Sequence, residues 1–145
     1  MERRAFLAAA ATAGAPLLAG CGGGGGGDSG PPEESTVRIA PAGNQPREVR
    51  VALGGTVTWV NADSAIVNAH TVTSARFHDA AADWAFDETL SEEGDQVSHT
   101  FEAAGLYEYY DRKDGRNCRC GAVLVGDTEL PDTPLPCVGS SPGQC

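Results

Sequence analysis

The sequence predicts an all-β fold, a single sandwich or barrel. Residues 49–53 form a β-type run that ends at a Gly-Gly turn, and residues 56–61 then alternate so that Val57 and Trp59 share one face. Strand and turn signals recur at regular spacing up to residue 126, and the 145 residues suffice for one domain with a core. We expect one β domain over 37–126, with core side chains that include Trp59, Phe101, Tyr107 and Tyr109.

Residues 1–20 have the features of an export signal. Arg3 and Arg4 precede an alanine-rich apolar run that is too short to cross a membrane. The arginine pair resembles a twin-arginine signal, and Leu-Leu-Ala-Gly before Cys21 resembles a lipoprotein cleavage site with Cys21 acylated. A plain secretory signal with an incidental cysteine is the alternative. We expect an exported protein held by a lipid at the outer face of the cell membrane.

Residues 21–36 are predicted to form a flexible tether. They are mainly Gly, Ser, Pro, Asp and Glu, including six consecutive glycines, and cannot bury enough apolar surface to offset the entropy of ordering. By random-coil scaling such a segment reaches about 20 Å.

The chain is strongly acidic, with 20 acidic and 10 basic residues and a formal net charge of -10. This balance disfavours nucleic acid as a partner and indicates solubility at high salt, as in a halophilic source. An ordinary acidic exported domain is the alternative.

The remaining strand signals follow in order. His70 opens a β-type run over 70–74, and further runs cover 86–90, 98–101, 105–110 and 122–125. A short turn of helix is possible at 80–84, capped by Asp79. This order of motifs resembles the plastocyanin, halocyanin and pseudoazurin group of cupredoxins. The resemblance implies a Greek-key β-sandwich and, by family role, copper binding and single-electron transfer.

The resemblance also indicates where copper ligands would lie. In that family one copper ion is held by an early His and by a Cys, a His and a Met of the loop before the last strand. The family loop reads Tyr-x-Tyr-Tyr-Cys-x-x-His and then Met-x-Gly, whereas this chain has Tyr-Glu-Tyr-Tyr-Asp. His70 matches the first ligand, but Asp111, Asp114 and Arg119 occupy the positions of the other three. We therefore expect no type 1 copper.

Three interpretations of the substituted positions remain open. Asp111 and Asp114 could be solvated loop acids, since such residues are common in loops. They could pair with Arg119 in the space that copper would fill, because an unpaired buried carboxylate is costly. His70 could instead join both acids in a site for zinc, manganese or iron. Of the other histidines, we expect His99 to be structural and His78 to be exposed.

Four cysteines remain after Cys21 is assigned to the lipid, an even number in an exported protein. We expect two disulfides that fold the tail, residues 127–145, back over the pole at which the family's copper ligands lie. Cys120 adjoins the last strand and matches the shorter reach to Cys137, so the preferred pairs are Cys120–Cys137 and Cys118–Cys145. The alternative is that Cys118 and Cys120 form a shifted thiolate site or a redox pair.

Two classes of function follow. One is a membrane-tethered cupredoxin-domain protein with a degenerate copper site and a binding or structural role. The alternative is an electron carrier that binds copper or another metal through a modified ligand set including His70. A redox or surface protein would be the partner in either case. No catalytic triad, phosphate loop or supported carboxylate pair is present in the sequence, so we do not expect an enzyme.

Overall fold

The computed structural model describes residues 30–66 and 68–139. Within these residues the chain forms nine β-strands and no helix, and therefore no helix that could cross a membrane. The strands are β1 (Glu34–Ala40), β2 (Gly43–Gln45), β3 (Glu48–Val51), β4 (Thr56–Asn61), β5 (His70–Ala75), β6 (Asp87–Leu90), β7 (Gln96–Thr100), β8 (Gly105–Tyr110) and β9 (Cys120–Val125).

The strands form two sheets that face each other in a sandwich. One sheet has the order β2-β1-β4-β7 and the other β3-β9-β8-β5-β6. The pairs β1–β4 and β3–β9 are parallel, and the other pairs are antiparallel. The all-β prediction is confirmed. β1 begins at Glu34, three residues before the predicted boundary, because Glu34 already pairs in register with Thr56 of β4.

Alternation along the strands places the core. In β4, Val57, Trp59 and Asn61 point inward while the residues between them are partly exposed. Trp59 meets Tyr109 of the opposite sheet edge-on, with ring centroids 5.3 Å apart. All four aromatic residues that we assigned to the core from the sequence are buried.

A second cluster lies on the outer face of the β8–β9 pair. Every residue of β9 is buried, because the tail returns across its outer face after leaving the strand at Val125. Leu135 and Cys137 of the tail pack there against Leu106 and Leu124. The tail therefore folds back along the outer face of this strand pair as far as residue 139, with Cys137 bonded to Cys120 at the start of β9.

The tail is fixed by the predicted Cys120–Cys137 disulfide, whose Cα atoms are 5.7 Å apart. Cys118 is also disulfide-bonded. Its predicted partner Cys145 lies outside the described residues, as do the export signal and Cys21, so those assignments stay predictions.

The possible helical turn at 80–84 is wrong. Ala81 instead forms an isolated parallel bridge with Leu106, and the Ala82 amide donates to the Leu106 carbonyl at 2.7 Å. Pairing with β8 satisfies the backbone groups that a helix would have used. Trp84 then stacks on Phe86, with ring centroids 5.5 Å apart, and covers the edge of the core.

Candidate functional site

The substituted ligand positions meet at one pole of the sandwich. His70 begins β5, Asp111 follows β8, and Arg119 precedes β9. The loop between β8 and β9 is closed by its own backbone: the Asp111 amide donates to the Arg119 carbonyl at 3.0 Å, and the Gly115 amide donates to the Asp111 carbonyl at 2.7 Å. Gly115 has a φ of 91°, a conformation that favours glycine. The antiparallel pairing of β8 with both β5 and β9 thus brings these side chains together.

His70 lies between two carboxylates. Its Nδ1 is 2.7 Å from Asp111 Oδ2, and its Nε2 is 3.0 Å from Asp63 Oδ2. The imidazole is buried, and both of its nitrogens face acceptors. The two contacts hold the ring from both sides in a carboxylate–imidazole–carboxylate chain.

Asp111 is an acid in the interior, with an exposed fraction of 1%. Its Oδ1 accepts hydrogen bonds from the Thr71 amide at 3.2 Å, the Thr71 hydroxyl at 3.2 Å and the Lys113 amide at 2.9 Å. These donors and the His70 ring replace the water that burial removes. The interpretation of Asp111 as a solvated loop acid is wrong, because strand alternation points it inward beside Tyr109. Asp114 is partly exposed, at 40% for its side chain.

Arg119 forms the ion pair that we predicted. Its Nε donates to Asp114 Oδ2 at 2.8 Å and lies 3.8 Å from Asp111 Oδ2. Its Nη1 donates to the Ala40 carbonyl at 2.7 Å. The guanidinium is thus buried with a carboxylate and a carbonyl as partners, and it tethers the loop to the end of β1.

The sequence analysis missed Asp63, the second partner of His70. Its backbone amide donates to Asn61 Oδ1 at 3.0 Å, and its Oδ1 accepts from the Ala65 amide at 2.9 Å. The Ala65 amide and then His70 hold the pKa of Asp63 below its ordinary value. The Asn-Ala-Asp-Ser run indicates a turn after β4. Only the tertiary structure turns that loop back onto His70.

The cluster also has the composition of a metal site. His70, Asp111 and Asp114 each offer one ligand atom, and these atoms lie within 4.8 Å of one another. The same atoms are already paired with each other and with Arg119. Neither Cys118, Cys120 nor Cys137 can supply a thiolate, since all three are disulfide-bonded. The shifted-thiolate interpretation is therefore wrong, and among residues 30–66 and 68–139 no cysteine offers the free thiolate that a type 1 copper centre uses.

A second buried ion pair lies under the tail, and the expectation that His78 is exposed is wrong. The His78 side chain is 9% exposed and its Nδ1 contacts Oε1 of Glu108, an acid of β8 with no exposed surface. Glu108 Oε2 accepts from the amides of Phe77 and His78, and His78 Nε2 donates to the Thr133 carbonyl of the tail at 2.7 Å. No sequence pattern indicated this pair, because alternation points position 108 outward and the tail buries it. The Glu108 hydrogen bond raises the pKa of His78.

His99 is structural, as expected. It lies in β7, and its ring packs edge-on against Phe86 and Phe101, with centroids 5.1 Å and 4.6 Å away. Burial lowers the pKa of its imidazole.

Comparisons with known proteins support the fold. No protein-family model and no curated protein matches the sequence. A purple cupredoxin from Nitrosopumilus maritimus is 27% identical, with a TM-score of 0.52 over 63% of this chain and 99% of that chain. A mutant of amicyanin in its Cu(I) form is 26% identical, with a TM-score of 0.51 over 64% of this chain and 82% of that chain.

A copper-containing nitrite reductase from Thermus scotoductus has a TM-score of 0.52 at 18% identity. The match covers 66% of this chain and 23% of that chain, and it bears on the fold alone. Together these solved structures show that the chain has a cupredoxin-like fold.

Proposed function

We propose that this cupredoxin-fold protein carries a buried ion-pair network in place of a copper centre, and that it serves as a binding or structural module rather than an electron carrier. The observation that carries this proposal is the 2.7 Å contact between His70 Nδ1 and Asp111 Oδ2. Those are two of the four positions at which the family resemblance places copper ligands. In this chain they satisfy each other.

The residues at this pole are unfavourable for binding copper. The position of the thiolate, the strongest ligand of a type 1 centre, is taken by a carboxylate, and the axial position by the cationic Arg119. A guanidinium 3.8 Å from Asp111 Oδ2 would repel a cation placed between them. Ligand loss and charge repulsion act in the same direction. Because of these residues, we do not extend to this chain the copper that the amicyanin and nitrite reductase structures name.

The setting that we propose is the outer face of a membrane, with Cys21 acylated and residues 22–33 as a spacer. The described domain starts beside the Gly54-Gly55 turn, where the Thr56 amide donates to the Glu33 carbonyl at 2.9 Å. That turn lies near the end of β9, since the Gly126 amide donates to the Val51 carbonyl at 2.9 Å, whereas Arg119 precedes β9 at the opposite end. A tethered domain would thus present the cluster away from the lipid, toward a protein partner at the cell surface. Mass spectrometry that found mature protein with an unmodified Cys21 would contradict this setting.

A second candidate is a site for zinc, manganese or iron formed by His70, Asp111 and Asp114. It is favoured by the 4.8 Å spacing of their ligand atoms. A metal there would have to displace the His70–Asp111 contact and weaken the Arg119–Asp114 pair. We regard it as the alternative to the ion-pair network.

The experiment is a visible spectrum and metal analysis of the mature protein after incubation with copper, zinc or manganese and removal of free metal. We expect no blue absorption and no stoichiometric metal. The triple variant Asp111→Cys, Asp114→His and Arg119→Met is the positive control, because it restores the thiolate, imidazole and thioether. A stoichiometric blue centre in the unmodified protein would sink the proposal. Stoichiometric zinc that is lost in Asp111→Asn would establish the second candidate instead.

A further inference from the structure

We propose that a surface pocket between the segment after β5 and the returning tail binds a small carboxylate with an apolar body. The pocket has a volume of about 320 Å³, within the size range of small-molecule sites. Its walls include Arg76, Phe77 and His78 on one side and Pro134 and Pro136 on the other. Arg116 of the β8–β9 loop lines it as well. This site is separate from the His70 cluster and does not rest on the function proposed above.

The charge of this pocket is opposite to that of the chain. Every charged or titratable side chain that lines it is basic, whereas acidic residues outnumber basic ones by 20 to 10 in the sequence. Among residues 30–66 and 68–139, Arg116 forms no ion pair. Two guanidinium groups at one cavity form a local anion site in a protein whose field otherwise repels anions.

Two contacts orient the Arg76 guanidinium, but they do not use all of its N–H donors. Its Nη2 donates to the Asp79 carbonyl at 2.9 Å, and its Nη1 lies 3.3 Å from Oδ1 of the exposed Asp83. An exposed pair of this kind contributes little and can exchange for a ligand. A guanidinium has five N–H donors, so a bound carboxylate can be recognised without breaking either contact.

The walls of the pocket are held in place before any ligand arrives. The Phe77 and His78 amides are bonded to the buried Glu108, and the His78 ring spans from Glu108 to the Thr133 carbonyl. Both ring nitrogens of His78 are therefore engaged, which makes this residue a wall and not a ligand. On the tail side, the Cys120–Cys137 disulfide fixes the residue next to Pro136. Preorganised walls reduce the entropy lost on binding.

The apolar part of the lining defines the class of ligand. Phe77 packs edge-on against Tyr110, with ring centroids 6.4 Å apart, and the two prolines face it from the tail. A planar acid could place its carboxylate against a guanidinium in a bidentate pair and its ring against these side chains. An aromatic carboxylate fits this combination better than inorganic phosphate, which has no apolar part.

The test is a calorimetric or NMR titration of the full mature protein, disulfides intact, with benzoate at low ionic strength. We expect saturable binding that the uncharged isostere benzamide does not show. Arg116→Gln and Arg76→Gln should each weaken benzoate binding about tenfold, as expected for loss of one charge-assisted contact. Arg112→Gln is the matched control, because that arginine pairs with Asp87 outside the pocket and should leave the affinity unchanged. Circular dichroism would verify that each variant is folded.

Three results would overturn the proposal. They are absence of saturable benzoate binding, benzamide binding of equal affinity, and equal affinities in the two pocket variants and the Arg112→Gln control.

Discussion

The pair of His78 and Glu108 leads to a quantitative prediction about stability. Replacing His78 with Leu leaves the Glu108 carboxylate, which has no exposed surface, without its cationic partner. Breaking one side of a buried ion pair costs about 3 to 5 kcal/mol. Glu108 keeps two backbone donors in this variant. We therefore expect the lower end, a loss of about 3 kcal/mol in the free energy of unfolding at pH 7.

Glu108→Gln is the informative partner variant, because the geometry allows it to satisfy every group. The Gln oxygen can take over the two amide bonds that Glu108 Oε2 accepts. Its NH2 group can donate to the unprotonated Nδ1 of a neutral His78, whose Nε2 still donates to the Thr133 carbonyl. We expect a loss of about 1 kcal/mol or less, since no buried group is left unpaired.

The two variants also predict how stability depends on pH. The Glu108 hydrogen bond raises the folded-state pKa of His78 above the ordinary value of 6.5. A histidine whose pKa is raised by folding stabilises the folded state fully at pH values below its unfolded-state pKa. This stabilisation is lost as the pH rises through its folded-state pKa. As the pH rises above about 6.5, the free energy of unfolding of the wild type should therefore fall relative to that of Glu108→Gln. Arg76 and Arg116, which line the same pocket as His78, and Asp79, which follows it in sequence, are unchanged in both proteins.

The assay is denaturant unfolding of the disulfide-intact protein at a series of pH values. His99→Gln is the control. Burial lowers the pKa of His99, so the effect of this histidine on the free energy of unfolding has the opposite pH dependence to that of His78. The wild type should lose stability relative to His99→Gln as pH falls below the unfolded value. The reasoning would be refuted if His78→Leu cost less than about 1 kcal/mol at pH 7, or if Glu108→Gln retained the wild-type pH dependence at alkaline pH.

Two further predictions concern the pole and the tail. Arg119→Met should destabilise the fold by about 1 to 3 kcal/mol, because it leaves the Ala40 carbonyl without its donor and the partly exposed Asp114 without its partner. It should produce no blue colour. Arg112→Met, which removes an exposed arginine, should change the free energy of unfolding by less than about 1 kcal/mol. Equal effects of the two would show that Arg119 is not part of a stabilising pair. Converting Cys120 and Cys137 to Ser should cost about 3 kcal/mol in the chain-entropy model and increase hydrogen exchange of the tail amides, whereas unchanged exchange would show that packing alone holds the tail.

The sequence predicted the strands and their inward-facing residues because both depend on local patterns. Alternation alone points Trp59 inward, and it likewise places Tyr109 and Asp111 on the same inward face. The family resemblance carried the positions of His70, Asp114 and Arg119 onto a common pole, and the structure brings them within contact distance. A period of two is a property of the strand itself, so these features could be read without knowledge of distant contacts.

What the sequence by itself determined is thus which residues face inward, which residues occupy the positions that the family resemblance assigns to copper ligands, and that Cys120 and Cys137 are within reach of each other. Only the tertiary structure decided the partners of the buried charges. Asp63 reaches His70 through the fold of the β4–β5 loop, and Glu108 is buried because a tail more than 20 residues farther along the chain covers an outward-facing strand position. The physical reason is that burial of a polar group depends on what covers it, and that cover is supplied by chain remote in sequence.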